Sequence, residues 1–147
     1  QEIGNKSAVA QMLCRLGGIS FHQDRWQDAR TLLAESLSQW RELGDKRGIG
    51  GCLVELAGMY LEEQPEQAAR LLGMAKSCLE VGDTLRPPTF QAEIRADYDR
   101  NLAAVRTRLD EAAFTVAWTE GRAQDLETIV VGLLVALGGQ EQLNTLL

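Results

Sequence analysis

The sequence predicts an all-α fold: a solenoid of stacked antiparallel helix pairs, about seven helices, closed by a C-terminal helical cap. Three observations predict it. Apolar residues recur at the 3.6-residue period through nearly every segment. Two stretches in the N-terminal half repeat one another about 39 residues apart. Aromatics make up only 5% of the chain and prolines number three, a bias against the β-branched and aromatic strands of sandwiches and barrels.

The first helix is expected over about 5–22, with Val9, Met12, Leu13, Leu16 and Ile19 on one face. A second, about 26–43, carries Ala29, Leu33, Ser36, Leu37, Trp40 and Leu43, and Gly44 follows where a left-handed C′ residue belongs. Ile49, Leu53, Leu56, Tyr60 and Leu61 mark a third. Gln64-Pro65 opens a fourth, because proline is best tolerated in the first turn. Its stripe is Ala68, Leu72, Ala75 and Leu79, and Gly82 is expected to end it. Arg86-Pro87-Pro88 breaks the pattern, since residues before proline are steered away from helix. Beyond it, a helix over about 89–109 carries Phe90, Ile94, Tyr98, Leu102, Val105 and Leu109. A short one over about 111–120 turns Phe114, Ala117 and Trp118 inward and ends at Gly121. Asp125 caps the last, whose stripe is Leu126, Ile129, Val130, Leu133 and Leu137. Gly138-Gly139 stops it, leaving Gln140–Thr145 as a frayed end or a last turn.

The repeat is read from matched positions. Leu13, Leu16 and Gly17 correspond to Leu53, Leu56 and Ala57 at an offset of 40, and Ala29, Leu33 and Ser36 to Ala68, Leu72 and Ala75 at 39. Small residues at Gly17/Ala57 and Ala29/Ala68 let paired helices approach, while the leucines fill the space around them. Residues 1–83 are therefore expected to form two helix–turn–helix repeats and 84–147 the capping helices of the same solenoid. A single unit cannot bury both faces alone, so neighbours must stack.

Charge and motifs exclude several functions. The net charge of −6 is uneven: +1 over 1–50, −2 over 51–109 and −5 over 110–147, the reverse of a nucleic-acid binder's basic stripe. Arg95, Arg100, Arg106 and Arg108 alternate with Glu93, Asp97 and Asp99, a solvated mixed-charge face. No apolar run reaches the ~20 residues of a membrane span. Cys14, Cys52 and Cys78 with His22 lack the spacing of a zinc site and are expected to be free thiols in a reducing cytoplasm. No phosphate loop, HExxH or GxSxG is present, and Gly48-x-Gly50-Gly51 follows no strand. Glu62-Glu63 and Asp97/Asp99 point to different helix faces, unsuited to shared acid–base work. No catalytic residue, cofactor or metal is expected. Gln1 is not a start methionine, so a piece of a longer protein is expected.

The repeat positions resemble the tetratricopeptide family: Leu13, Leu16, Gly17, Ala29 and Leu33 in the first unit, and Leu53, Leu56, Ala57, Tyr60, Ala68 and Leu72 in the second. Ser20 stands where that family prefers tyrosine, and the units run longer than its 34 residues. The resemblance implies a right-handed α-solenoid. A second resemblance rests on Pro65-Glu66-Gln67-Ala68-Ala69-Arg70-Leu71-Leu72-Gly73, Pro87-Pro88, and Ala113-Phe114-x-x-Ala117-Trp118-x-Glu120-Gly121-Arg122. These stretches look like the helical-repeat region that ends large bacterial ATP-binding regulators, among them LuxR-type transcription regulators and signalling ATPases. The likeness implies a sensor or docking arm; the sequence departs from the family's pattern in that no helix-turn-helix module follows Leu137, so DNA binding is not expected of this chain. Within the last stretch, Glu120 and Arg122 read as a local ion pair above Trp118.

Carried over residue by residue, the family's concave face gives Gln11, Cys14, Gly18, Phe21 and His22 in the first repeat, and Gly51, Val54, Gly58, Leu61 and Glu62 in the second. Such a small-sided, apolar face suits a docked helix or apolar peptide. The same residues equally suit packing between repeats, and both readings stand. The function expected is a non-enzymatic sensor or protein-interaction domain of a cytoplasmic bacterial regulator, binding a protein, a peptide or other domains of its own chain, with no nucleic acid and no membrane. The alternative is self-association into a homo-oligomer through an open N-terminal repeat face, where Val9, Met12 or Leu37 would be exposed.

Overall fold

Seven helices follow one another in a computed structural model, which describes residues 2–80 and 88–138: α1 (Glu2–His22), α2 (Trp26–Leu43), α3 (Lys46–Tyr60), α4 (Pro65–Leu79), α5 (Pro88–Arg108), α6 (Glu111–Ala123) and α7 (Leu126–Gly138). Among the described residues there is no strand. The helix end expected at Gly82, the break at Arg86-Pro87, the stop at Gly139 and the stretch 140–145 lie outside the described residues, as does the side chain of Phe90.

Local chemistry sets the boundaries. Gly44 adopts φ 67° and closes α2, its N–H bonding to Arg41 O while the Asp45 N–H reaches Trp40 O. Asp45 then accepts from the Gly48 N–H at 3.0 Å in the first turn of α3. Pro65 sits in the first turn of α4. Asp110 caps α6 by accepting from the Ala113 N–H at 2.7 Å, a cap absent from the sequence reading. Asp125 caps α7 as expected, taking both the N–H and the hydroxyl of Thr128.

The helices gather into two compact units. The first holds α1, α2, the start of α3, and α7; the second holds the rest of α3 with α4, α5 and α6. In the first unit α1 lies against α2 through Gly17, where a Cβ would come within 2.7 Å of the Leu33 side chain. Ala10, Ala29, Leu33, Leu37 and Trp40 are buried around that seam. The buried Ser36 hydroxyl donates to the Ala10 carbonyl at 2.6 Å and lies 3.1 Å from the Cys52 sulfur. Helix α7 packs on α2, with Val130, Leu133, Leu134 and Leu137 buried. Arg41 donates to Glu127 at its start, and Arg30 donates to the Ala136 carbonyl near its end at 2.7 Å, where a cation suits the helix dipole.

In the second unit Leu53, Leu56, Ala57, Ala68, Leu71 and Leu72 are fully buried. Helix α4 lies against α5 and α6, and α5 also touches α6. Tyr98, Val105, Phe114 and Ala117 are buried, as their stripes required.

Candidate protein-interaction surfaces

Two surfaces stand out, one in each unit. In the first, four of the five residues assigned by periodicity to one face of α1 turn outward, Val9 48% exposed, Met12 62%, Leu16 44% and Ile19 50%, while Leu13 is half-buried. The buried side of α1 is made instead of Ala10, Gly17, Gly18 and Ser20. The cause is steric. Close approach to α2 needs the small residues of α1, so its larger side chains are turned away. Of the three residues expected on an open end face, Val9 and Met12 are exposed, whereas Leu37 is fully buried. A groove of about 390 Å³ adjoins Val9, lined also by Asn5, Lys6, Gln39, Glu42 and Leu43.

In the second unit, α4 and α6 meet backbone to backbone. A Cβ at Gly73 would overlap the Trp118 carbonyl oxygen, and one at Gly121 would overlap the Arg70 carbonyl oxygen. Helix α6 therefore runs through Gly121 to Ala123 instead of ending there. The expected Glu120–Arg122 pair is replaced by two that cross the seam. Arg70 binds Glu120 at 3.0 Å and Arg122 binds Glu80 at 2.6 Å. The Arg122 hydrogen bond holds the Glu80 carboxyl below its usual range, and the carboxylate raises Arg122 in turn. The Arg122 guanidinium also lies 5.3 Å from the Trp118 ring centroid, and the Trp118 indole donates to the Tyr98 hydroxyl at 3.1 Å. Burial pushes the Tyr98 phenol up despite that bond.

The carried-over concave positions fall into two environments. On α1, Gly18 is buried, while Gln11, Cys14 and Phe21 are half-buried. His22 is exposed, its ring edge-on to Phe21 at 5.6 Å. On α3, Gly51 and Val54 are buried and Gly58 is half-buried, as is Leu61 just past the helix. The chain's own α5 meets part of this second set: Asn101 donates to the Val54 carbonyl at 2.9 Å and lies against Gly58, and Arg108 binds Glu62 at 2.6 Å. At Val54, Gly58 and Glu62 the neighbour is thus a helix of the same chain. Sequence reasoning missed it because Asn101 and Arg108 read only as polar members of a charged helix.

Cys52 and Cys78 are buried and Cys14 half-buried, and none of the three is in a disulfide. Among the described residues no cluster of His, Cys, Asp or Glu could hold a metal ion. No described helix is long and apolar enough to cross a membrane.

No curated protein and no solved structure matches the chain. A family model does match: residues 8–80 are similar to the tetratricopeptide repeat, a helical scaffold that generally mediates protein–protein interaction.

Proposed function

We propose that this chain is a non-enzymatic protein-docking and sensor arm of a larger bacterial ATP-dependent signalling or transcriptional regulator, working in the cytoplasm. The observation that carries the reading is the α4–α6 seam. The stretches Pro65–Gly73 and Ala113–Arg122, which bear the likeness to such regulators, close on one another through Gly73, Gly121 and the Arg70–Glu120 pair. Their residues go together because each is needed by the other: the glycines for close approach, the arginines to pair the carboxylates beside it. An arm of this kind passes a partner's binding to a separate switch domain, so it needs rigid helices and no reactive group of its own.

The coding sequence ahead of Gln1 tests the proposal. A P-loop NTPase domain is expected there, and a secretion leader or membrane span in its place overturns it. A second reading, self-association, is favoured by the exposed Val9, Met12, Leu16 and Ile19 stripe. Sedimentation at several concentrations tests it, since a strict monomer overturns it.

A further inference from the structure

The second helix of each repeated pair receives a helix from the C-terminal part of the chain: α7 packs on α2 in the first unit, and α6 on α4 in the second. At the offset of 39 that pairs Ala29 with Ala68 and Leu33 with Leu72, the core residues of α2 and α4 agree. The residues that meet the incoming helix do not. Arg30 corresponds to Ala69, Ala34 to Gly73 and Arg41 to Glu80.

Each difference matches the helix docked there. On α2, Arg41 donates to the Glu127 carboxylate at the start of α7, and Arg30 to the Ala136 carbonyl near its end, both at 2.7 Å. On α4 the charge is reversed, and Glu80 accepts from Arg122 of α6 at 2.6 Å. Ala69 is buried and has no side-chain donor. Gly73 leaves the space that the Trp118 carbonyl fills, which a Cβ would overlap.

We propose that these three positions are specificity determinants that assign each C-terminal helix to its own repeat. Arg30 and Arg41 select α7; Gly73 and Glu80 select α6. The same residues reject the wrong helix. On α2, Arg122 would face Arg41, and the Ala34 methyl would stand where α6 needs bare backbone. On α4, Glu127 would face Glu80, and no arginine would reach the end of α7. Discrimination of this kind needs a repulsive element against the wrong partner as well as an attractive one for the right partner. Duplication creates the need. Two helices with the same core leucines present similar apolar faces, burial of apolar surface is non-directional, and misassembly is a characteristic failure of repeated chains.

Hydrogen exchange read by mass spectrometry on the whole 147-residue chain tests the assignment. Arg41→Glu sets a carboxylate against Glu127, and α7 amides are expected to exchange at least about threefold faster while those of α6 are unchanged. Adding Glu127→Arg to that chain is expected to restore the protection of α7. Glu80→Arg should speed α6 in the same way and spare α7. Circular dichroism establishes that each variant is folded. Should Arg41→Glu not fold, Glu127→Arg takes its place as the single reversal, and recovery in the double variant is read as before. Unchanged exchange in the single reversals overturns the proposal. So does a double variant that stays as fast as the single one, or a reversal that speeds α6 and α7 alike, since the charges then serve general stability. Each outcome is independent of which domain precedes Gln1, so the regulator reading fails or stands separately.

Discussion

The α1 face of the first unit and the α4–α6 seam of the second treat side-chain size in opposite ways. On α1 the large apolar residues Val9, Met12, Leu16 and Ile19 face solvent, and small ones make the helix contact. Across α4 and α6 no large exposed stripe remains on the contact side; Gly73 and Gly121 bring the two backbones together and ion pairs close the edges. Apolar periodicity reports which residues can be covered, while the small residues decide where helices actually touch. A large residue is buried only if a neighbour exists for that side. The same register in α1 and α3, exposed in one and covered in the other, makes the point within a single sequence.

The largest effect expected of any single change is at the glycine seam. Gly121→Leu would drive a side chain into the Arg70 carbonyl, backbone that cannot swing aside as a side chain could. A loss above about 4 kcal/mol is expected, in the exceptional range for point substitutions. Gly73→Leu should act similarly, and the double variant should cost less than the sum because one separation of α4 and α6 relieves both. Urea denaturation of the three variants measures this. Additive losses would mean that the two glycines serve different contacts.

Next in size is the contrast between a buried and an exposed leucine of the first unit. Leu37 is fully buried, so Leu37→Ala should cost about 3 kcal/mol through lost transfer energy and a cavity. Leu16, 44% exposed, should cost under about 1 kcal/mol when changed to alanine. Equal losses would show that the α1 stripe is covered in solution.

Much of this architecture was legible in the sequence. The helix boundaries, Gly44, Pro65 and Asp125 act through their own backbone preferences, and those need no knowledge of distant neighbours. The Gly17–Leu33 contact was legible because the repeat supplied Ala57–Leu72 as a second instance. What escaped depends on long-range placement. Gly121 read as a helix terminator, since glycine's weak helix propensity is visible locally and its contact with Arg70 is not. Glu120 and Arg122 read as partners of each other, but residues two apart on a helix diverge, so each reaches outward to α4 or its end. For the carried-over concave residues on α3, nothing in the sequence said that Asn101 and Arg108 of α5 would lie against Val54, Gly58 and Glu62.

A smaller, pH-dependent effect sharpens the account of the seam's edge. Arg122 holds the Glu80 carboxyl below its ordinary value of 4.5, so the folded state binds a proton there less readily than the unfolded chain does. The pair therefore adds stability above that ordinary value and loses it as pH falls through the lowered one. Glu80→Gln should lower Tm slightly at pH 7, and the gap to wild type should close as the pH falls through the lowered value. A gap that persists in acid would mean Glu80 contributes through packing and not through its charge. Glu80 is exposed and Arg122 partly so, and added salt should also narrow the gap.

The smallest stability change is expected on the apolar stripe of α1. Met12 is 62% exposed, and Met12→Gln removes no buried contact, so its stability should stay within about 0.5 kcal/mol of wild type. The substitution swaps a long unbranched side chain for another of similar length and good helix propensity, which leaves α1 itself intact. Its effect should appear in self-association instead, as weaker association of the same folded chain. Thermal denaturation and sedimentation on one sample separate the two quantities. A marked fall in Tm would place Met12 in a packed interior after all and remove the contrast between α1 and α3.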